Sequence, residues 1–193
     1  MDDGASLSTD GGQTWEATAE AVDGSGCILA FADTETGWVG SGAEFQMTTD
    51  GGASWKELVL PEDVNEVAAI SLRTPTDGYL LDMDGVLHIT QDGGKTWSSQ
   101  SLGLDDPTIF PLETPAAAVR FFDAENGLVV LGLFGETSMV ALRTADGGET
   151  WEEESLPVGL GKPYLSRDGK FLAVQHSSQR LPILLRYVVG DGG

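Results

Sequence analysis

The sequence predicts an all-β protein, a β-propeller of four-stranded antiparallel blades with about four blade equivalents. The first observation is the tripeptide Asp-Gly-Gly, which occurs five times at steps of 40, 42, 54 and 45 residues, the length of one blade. The second is another turn signature with the same period, between the first two strands, A and B, of each blade, and the third is the set of short apolar runs between the turns. This A–B turn signature occurs at 33–38, 76–79, 123–128 and 167–169, and its glycine (Gly37, Gly78, Gly127 and Gly169) marks strand B. The five aspartates are Asp10, Asp50, Asp92, Asp146 and Asp191.

Four of the Asp-Gly-Gly copies lie in a longer motif, Ser/Thr-x-Asp-Gly-Gly-x-Thr/Ser-Trp. The glycines supply the positive φ angles of a tight hairpin, the aspartate can accept turn N–H groups, and the tryptophan buries a large ring within or between blades. The motif repeats once per blade, so we interpret it as structural and not as a metal or catalytic site. Its residues are Ser8, Asp10, Gly12, Thr14 and Trp15; Thr48, Asp50, Gly52, Ser54 and Trp55; Thr90, Asp92, Gly94, Thr96 and Trp97; and Thr144, Asp146, Gly148, Thr150 and Trp151.

The runs between the turns predict four strands per period, A to D, and no helix. Strand A is the most apolar and should line the centre; strand D is the most charged, which suits the outer edge of a blade. Strand A is predicted at 28–32, 67–72 and 117–122, strand C at 45–48, 86–90, 139–144 and 184–189, and strand D from each tryptophan onwards.

We expect one propeller domain over 1–193, with blade equivalents at about 1–25 (partial), 26–62, 63–103, 116–157 and 160–193 (partial). The blades are out of phase with the ends of the chain. Either the strand at Trp15 completes the last blade, or the chain is part of a larger ring; we favour the second, because propellers have about 4 to 8 blades.

Charge and composition exclude several classes of function and of site. With 31 acidic and 10 basic residues the net charge is −21, so nucleic-acid binding is not expected. The longest apolar runs are only a few residues, so membrane insertion is not expected either. Cys27 is the only cysteine, which excludes an internal disulfide, and we expect it to pack as a small apolar residue. His88 is predicted in a strand and His176 in a loop; two histidines make no metal site, and no cofactor or catalytic residue is predicted.

These motifs resemble the Asp box, or bacterial neuraminidase repeat, and the whole blade is similar to the photosystem II assembly and stability factor family. The resemblance implies a non-enzymatic, extracytoplasmic scaffold that binds a protein, although no secretory signal is visible in this chain. A role at photosystem II itself would suggest a basic docking surface, so the acidic composition favours another partner.

The alternative is a piece of a glycan hydrolase, sialidase-like or xyloglucanase-like, or a saccharide-binding propeller, since Asp boxes occur there too. Arg180-Leu181-Pro182 loosely resembles the Arg-Ile-Pro element of sialidases, but it follows the boxes instead of preceding them. Eleven of the acidic residues fall in turns, which favours a structural role for them.

Loop length points to a candidate binding face, because insertions in repeat proteins cluster on one side. The distance from the strand-B glycine to the next Asp-Gly-Gly aspartate grows from 13 residues (Gly37 to Asp50) to 14, 19 and 22 (Gly169 to Asp191). These B–C loops and the D–A connections should share a face. There Phe110 either contacts a partner or folds onto its own blade, and we favour the second. The candidate partner-binding residues are Asp105, Asp106, Phe110, Phe134, Glu136, His176 and Arg180.

Overall fold

The computed structural model describes residues 6–8, 10–17, 27–104, 108–110, 116–166, 171–175 and 183–186, and confirms the predicted all-β propeller fold. Every regular element in these residues is a strand, and none of them forms a helix that could cross a membrane.

The strands form separate antiparallel sheets in which neighbours in sequence are neighbours in space, as the tight turns predict. A hairpin, β1–β2, comes first, then three four-stranded sheets and one three-stranded sheet, which we name blades I to IV. The hairpin is Ser6–Leu7 and Glu16–Ala17. Blade I is β3 (Ile28–Phe31), β4 (Gly37–Ser41), β5 (Glu44–Thr48) and β6 (Lys56–Leu58). Blade II is β7 (Val67–Leu72), β8 (Gly78–Asp82), β9 (Val86–Thr90) and β10 (Ser98–Ser101). Blade III is β11 (Ala117–Phe121), β12 (Gly127–Gly132), β13 (Ser138–Thr144) and β14 (Glu152–Gly159). Blade IV is β15 (Lys162–Leu165), β16 (Phe171–Gln175) and β17 (Ile183–Arg186).

The strands differ from the predicted ones mainly at their ends. Each strand D begins one residue after its tryptophan, because the indole belongs to the turn. Strand β14 continues to Gly159, beyond the predicted segment 116–157, and its register shifts between Ser138 and Val140, the signature of a β-bulge. The extra length pairs β14 with the longest strand C of the described residues.

The core lies between the blades, and it is formed by side chains that point alternately to the two faces of each strand. Successive side chains of a strand point to opposite faces, so a strand between two blades is apolar at every position. In β8, Leu80 packs against blade I, while Tyr79 and Leu81 pack towards blade III. The Tyr79 and Phe121 rings stack with centroids 3.8 Å apart across the interface of blades II and III. This is why the A and B strands read as unbroken apolar runs.

Strand A of each blade lies at the centre, as predicted: β7 packs between β3 and β11, and β11 packs against β15. Together they line a central channel of about 360 Å³. Cys27 is on this channel wall and is exposed, so the expectation that it packs as a buried apolar residue was wrong. It stands at the start of strand A, where the neighbouring strands leave open space.

Candidate partner-binding face

The Asp boxes close one end of each blade through a repeated set of hydrogen bonds. In the box of blade II, the Thr96 N–H and O–H donate to the two oxygens of Asp92 at 2.9 and 2.6 Å, and Thr90 Oγ1 donates to the same carboxylate at 2.9 Å. The Gly94 N–H donates in turn to Thr90 Oγ1 at 2.9 Å. Both box glycines have positive φ, 75° and 87° here. The carboxylate therefore organises the hairpin.

Accepting these bonds stabilises the charged form of each box aspartate. The Thr96 hydroxyl, followed by the Thr96 N–H, lowers the pKa of Asp92 from 3.8 to about 2. The pKa values of Asp50 and Asp146 fall to about 2 by the same contacts from Ser54 and Thr150, and that of Asp10 falls to about 2 chiefly through the Thr14 N–H.

The box turn also bonds to the A–B turn of its own blade. The N–H of the first box glycine donates to a carbonyl of that turn in three blades, with N···O distances of 2.8 to 2.9 Å. The pairs are Gly51 with Glu35, Gly93 with Thr76 and Gly147 with Glu125. These bonds explain why the two turn signatures recur in step, and they place both on one face, the box face.

The box tryptophans differ from blade to blade. The Trp97 indole donates to the carbonyl of Val59 in blade I at 3.1 Å and so joins two blades. Trp15 is exposed, and its indole donates to Gly12 in its own turn at 3.2 Å. The buried indole nitrogens of Trp55 and Trp151 have no hydrogen-bond partner within the described ranges.

The opposite face, the loop face, carries the B–C loops and the D–A connections. Residues 108–110 of the connection from blade II to blade III add a short bridge beside the end of β12, where Ile109 pairs with Leu133. The Phe110 N–H donates to Gly132 O at 2.7 Å, and the Phe134 N–H donates to Thr108 O at 2.8 Å. Ile109 is fully buried and also donates its N–H to Met83 O at 3.0 Å. Two loops from different blades are thereby fixed to each other.

The loop face brings two of the predicted residues together. The Phe110 and Phe134 rings lie 6.1 Å apart at an angle of 23°, and Phe134 is 64% exposed. Phe110 is half-buried, and its ring lies against Phe134 in the B–C loop of blade III. Glu136 is exposed in the turn that follows Phe134. We call Phe110, Phe134 and Glu136 the aromatic patch.

Four of the predicted partner-binding residues, Asp105, Asp106, His176 and Arg180, lie outside the described residues. In the part of the chain that is described, no group of three or more His, Cys, Asp or Glu side chains is arranged to hold a metal ion.

One polar cluster was not found from the sequence. His88 is fully buried between blades I and II; its Nε2 lies 3.0 Å from Asp82 Oδ2, and its Nδ1 lies 2.9 Å from Ser99 Oγ. Asp82 is also buried, and its other oxygen accepts the Val86 N–H at 2.8 Å. The available signal was an aspartate that ends one apolar strand and a histidine in the middle of the next.

Comparison with known proteins agrees with this architecture. The family model described as photosynthesis system II assembly factor YCF48 matches twice, over residues 8–107 and 55–153. The photosystem II assembly lipoprotein Ycf48 of Synechococcus sp. is 27% identical over 151 residues, which cover 77% of this chain and 40% of that protein. The protein of the same name from Synechocystis sp. is 31% identical over 94 residues, or 46% of this chain and 25% of that one.

Solved structures show the same fold. The structure titled YCF48 bound to D1 peptide has a TM-score of 0.57 at 19% identity and covers 84% of this chain and 56% of its own. YCF48 from Cyanidioschyzon merolae has a TM-score of 0.58 at 17% identity, with 86% and 55% covered. A GH74 enzyme from Niastella koreensis has a TM-score of 0.63 at 14% identity, with 90% and 30% covered. The chain thus spans half or less of the curated relatives and little more than half of the YCF48 structures.

Proposed function

Because this chain belongs to the photosynthesis system II assembly factor YCF48 family, we propose that it is a non-enzymatic Asp-box propeller that binds a protein partner through its loop face. The observation that carries the proposal is the aromatic patch, in which exposed Phe134 lies beside half-buried Phe110 and both are held by two loops. A protein of the same fold has been solved with a peptide, the structure titled YCF48 bound to D1 peptide. The likeness to the GH74 enzyme concerns the fold alone.

The patch has the physical properties of a binding anchor. Phe134 exposes most of its ring, so a partner that covers it gains apolar burial of roughly 1–2 kcal/mol, or about tenfold in affinity. Its backbone is already fixed by the bonds to Thr108 and by buried Ile109, so little ordering is needed on binding. A partner segment with an apolar side chain and a basic flank would suit the ring pair beside Glu136. Asp105, Asp106, His176 and Arg180 are proposed as further partner-binding residues.

The remaining assignments follow the same reasoning. Both curated relatives are named lipoproteins, and this supports a place outside the cytoplasm for this chain. We assign 1–193 to one propeller domain, or part of a larger ring, with the blade segments given above, and we assign the twenty Asp-box residues a structural role.

The test is site-specific cross-linking followed by affinity measurement. A photoreactive phenylalanine analogue at position 134 identifies the protein that contacts the patch, and binding of that protein is then measured for the wild type and for the Phe110→Ala/Phe134→Ala double variant. We expect the double variant to lose at least about tenfold in affinity.

Trp15→Ala is the matched control, because Trp15 is as exposed as Phe134 but lies on the β1–β2 hairpin. Circular dichroism verifies that each variant is folded, and Phe134→Ala alone avoids disturbing half-buried Phe110. Equal affinity of the wild type and the Phe134→Ala variant would rule out the aromatic patch as the binding site. Binding on a glycan array instead would favour the saccharide alternative.

A further inference from the structure

The buried polar cluster between blades I and II leads from the interior of the propeller to an exposed serine. His88 is fully buried and lies directly opposite Ser99 on the neighbouring strands β9 and β10. Ser99 is exposed on β10, the outer strand of blade II. Its Oγ lies 2.9 Å from His88 Nδ1, and His88 Nε2 lies 3.0 Å from Asp82 Oδ2. A hydroxyl that solvent can reach is therefore joined to a buried imidazole and a buried carboxylate by continuous hydrogen bonds.

The order of these groups determines the direction of each hydrogen bond. A carboxylate only accepts hydrogen bonds, so the contact with Asp82 places the proton of the neutral His88 ring on Nε2. Nδ1 is then the acceptor, and the Ser99 hydroxyl is the donor. The Val86 N–H donates to the other oxygen of Asp82 at 2.8 Å, which fixes the orientation of the carboxylate. The imidazole thus presents its unprotonated nitrogen to the serine.

A serine, a histidine and a carboxylate joined in this order are the groups of a nucleophilic triad, which is recognised by geometry and not by position in the sequence. The histidine accepts the hydroxyl proton as the serine attacks, and the carboxylate stabilises the imidazolium that forms. Here Nδ1 faces Ser99 and Nε2 faces Asp82, the reverse of the usual arrangement. Either nitrogen of an imidazole can accept a proton, so the reversal leaves both roles intact.

The backbone of Ser99 supplies a donor for the negative charge that such an attack creates. The Ile89 carbonyl accepts the Ser98 hydroxyl at 3.4 Å, so it points towards β10, and Ser98 is the residue whose backbone faces β9. Backbone groups of successive residues in a strand point to opposite sides, so the Ser99 N–H faces the outer edge. Within the described ranges no strand pairs with β10 on that side. The N–H of the nucleophile is a common oxyanion donor.

We propose that Ser99 is a nucleophile that accepts an acyl group from activated carboxylic esters. Ser99 Oγ attacks the carbonyl carbon, the hydroxyl proton moves to His88 Nδ1, and the π electrons of the carbonyl move to its oxygen. The tetrahedral intermediate then collapses: the bond to the leaving oxygen breaks, that oxygen receives the proton from Nδ1, and the acyl group stays on Ser99 as an ester. The step needs no further reactant and does not involve the aromatic patch.

Ser98 provides a control within the same chain, because it is also exposed but lies on the opposite face of β10 from His88. The folded protein is treated with p-nitrophenyl acetate and quenched with acid at a series of times, and fragmentation mass spectrometry measures acetylation of each serine separately. A positioned general base accelerates such a step by about 10²–10⁴, so Ser99 should be acetylated at least about 100-fold faster than Ser98. A ratio below about tenfold would overturn the proposal.

Asp82→Asn tests whether the cluster, and not exposure alone, activates Ser99. The asparagine amide donates to Nε2, so the ring proton moves to Nδ1 and the ring no longer accepts the serine proton. We expect acetylation of Ser99 to slow at least about tenfold while that of Ser98 is unchanged. Asp84→Ala is the matched control, because it removes an exposed carboxylate from the same turn and should leave the rate at Ser99 unchanged.

Nitrogen NMR of the imidazole supplies a readout that a purely structural role of Asp82 would not move. In a His176→Gln background His88 is the only histidine, and its ring proton should be on Nε2 with Asp82 and on Nδ1 with Asp82→Asn. A ring proton on Nδ1 without the Asp82 substitution, or an undiminished rate at Ser99 in folded Asp82→Asn, would overturn the proposal. The comparison of Ser99 with Ser98 needs only the wild type, so it decides the matter even if a variant fails to fold.

Discussion

The buried cluster of Asp82, His88 and Ser99 allows a prediction in which similar substitutions have very different effects. A neutral His88 ring satisfies both neighbours when Nε2–H donates to Asp82 and Nδ1 accepts the Ser99 hydroxyl. Asp82 accepts a second bond from the Val86 N–H. Asp82→Ala removes both acceptors and leaves two buried polar groups unsatisfied, at about 1–3 kcal/mol each, so we expect a loss of about 2–5 kcal/mol in the free energy of unfolding.

Asp82→Asn should cost far less, under about 1 kcal/mol, because the asparagine can satisfy the same groups. Its oxygen still accepts the Val86 N–H, and its amide donates to His88 Nε2 once the ring proton moves to Nδ1, which then donates to Ser99. His88→Leu introduces the residue that blade III has at the equivalent position, Leu142, four residues before its box aspartate, but leaves one oxygen of Asp82 buried without its partner. The combined Asp82→Ala/His88→Leu variant removes both partners, so its loss should be smaller than the sum of the single losses by at least about 1 kcal/mol.

Urea denaturation followed by tryptophan fluorescence measures these differences. Asp84→Ala is the control, because Asp84 is exposed in the same turn and should change stability by no more than about 0.5 kcal/mol. If Asp82→Asn is as damaging as Asp82→Ala, the proposed change of tautomer is refuted. If the single losses add within about 0.5 kcal/mol, the two side chains do not act as a unit.

Two further predictions concern the turns and the core. The box aspartates have a pKa of about 2 in the folded protein against 3.8 ordinarily, so their contribution to stability is complete above about pH 3.8 and is lost as the pH falls to about 2. The thermal midpoint should therefore decrease as the pH is lowered from about 3.8 to about 2, and the decrease should be less steep in Asp92→Asn. The same dependence on pH in this variant would contradict the role of the Asp92 carboxylate in stability. Gly78→Ala would place a methyl group into the ring of fully buried Trp38, and we expect the free energy of unfolding to drop by about 1–3 kcal/mol. An unchanged urea midpoint would show that the interface of blades I and II relaxes without cost.

The fold was predictable because its determinants are local. A box hairpin needs only its own eight residues: the Thr90 hydroxyl, the Asp92 carboxylate and the Thr96 donors all lie within seven positions of one another. Such a motif keeps its geometry wherever it occurs, so its period reports the length of a blade directly. The alternation of the core was equally accessible, since an apolar strand such as β8 must be covered on both faces.

The contacts between blades were not predictable in the same way. Phe110 and Phe134 are 24 residues apart on different blades, and they meet because residues 108–110 bond to the end of β12. Nothing in the local sequence marks 108–110 as a bridging segment. The hydrogen bond between Asp82 and His88 could not be predicted for a related reason. The two residues are not directly opposite each other on the adjacent strands β8 and β9, and the hairpin turn at Gly85 brings them together.

The two faces of the propeller therefore differ in how much change they can accept. On the box face the turn bonds lie within one blade, as between Thr96 and the Asp92 carboxylate and between Gly93 and Thr76, so an insertion there breaks several bonds at once. On the loop face a series of backbone bonds runs from blade to blade, from Gly42 through Met83 to Ile109, and almost any sequence can supply such bonds. Loops on that side can change in length and residue type without loss of the hairpins that define the fold. A propeller of this kind can thus acquire a new partner by altering one face alone, and the ring pair on the loop face is where we expect this chain to do so.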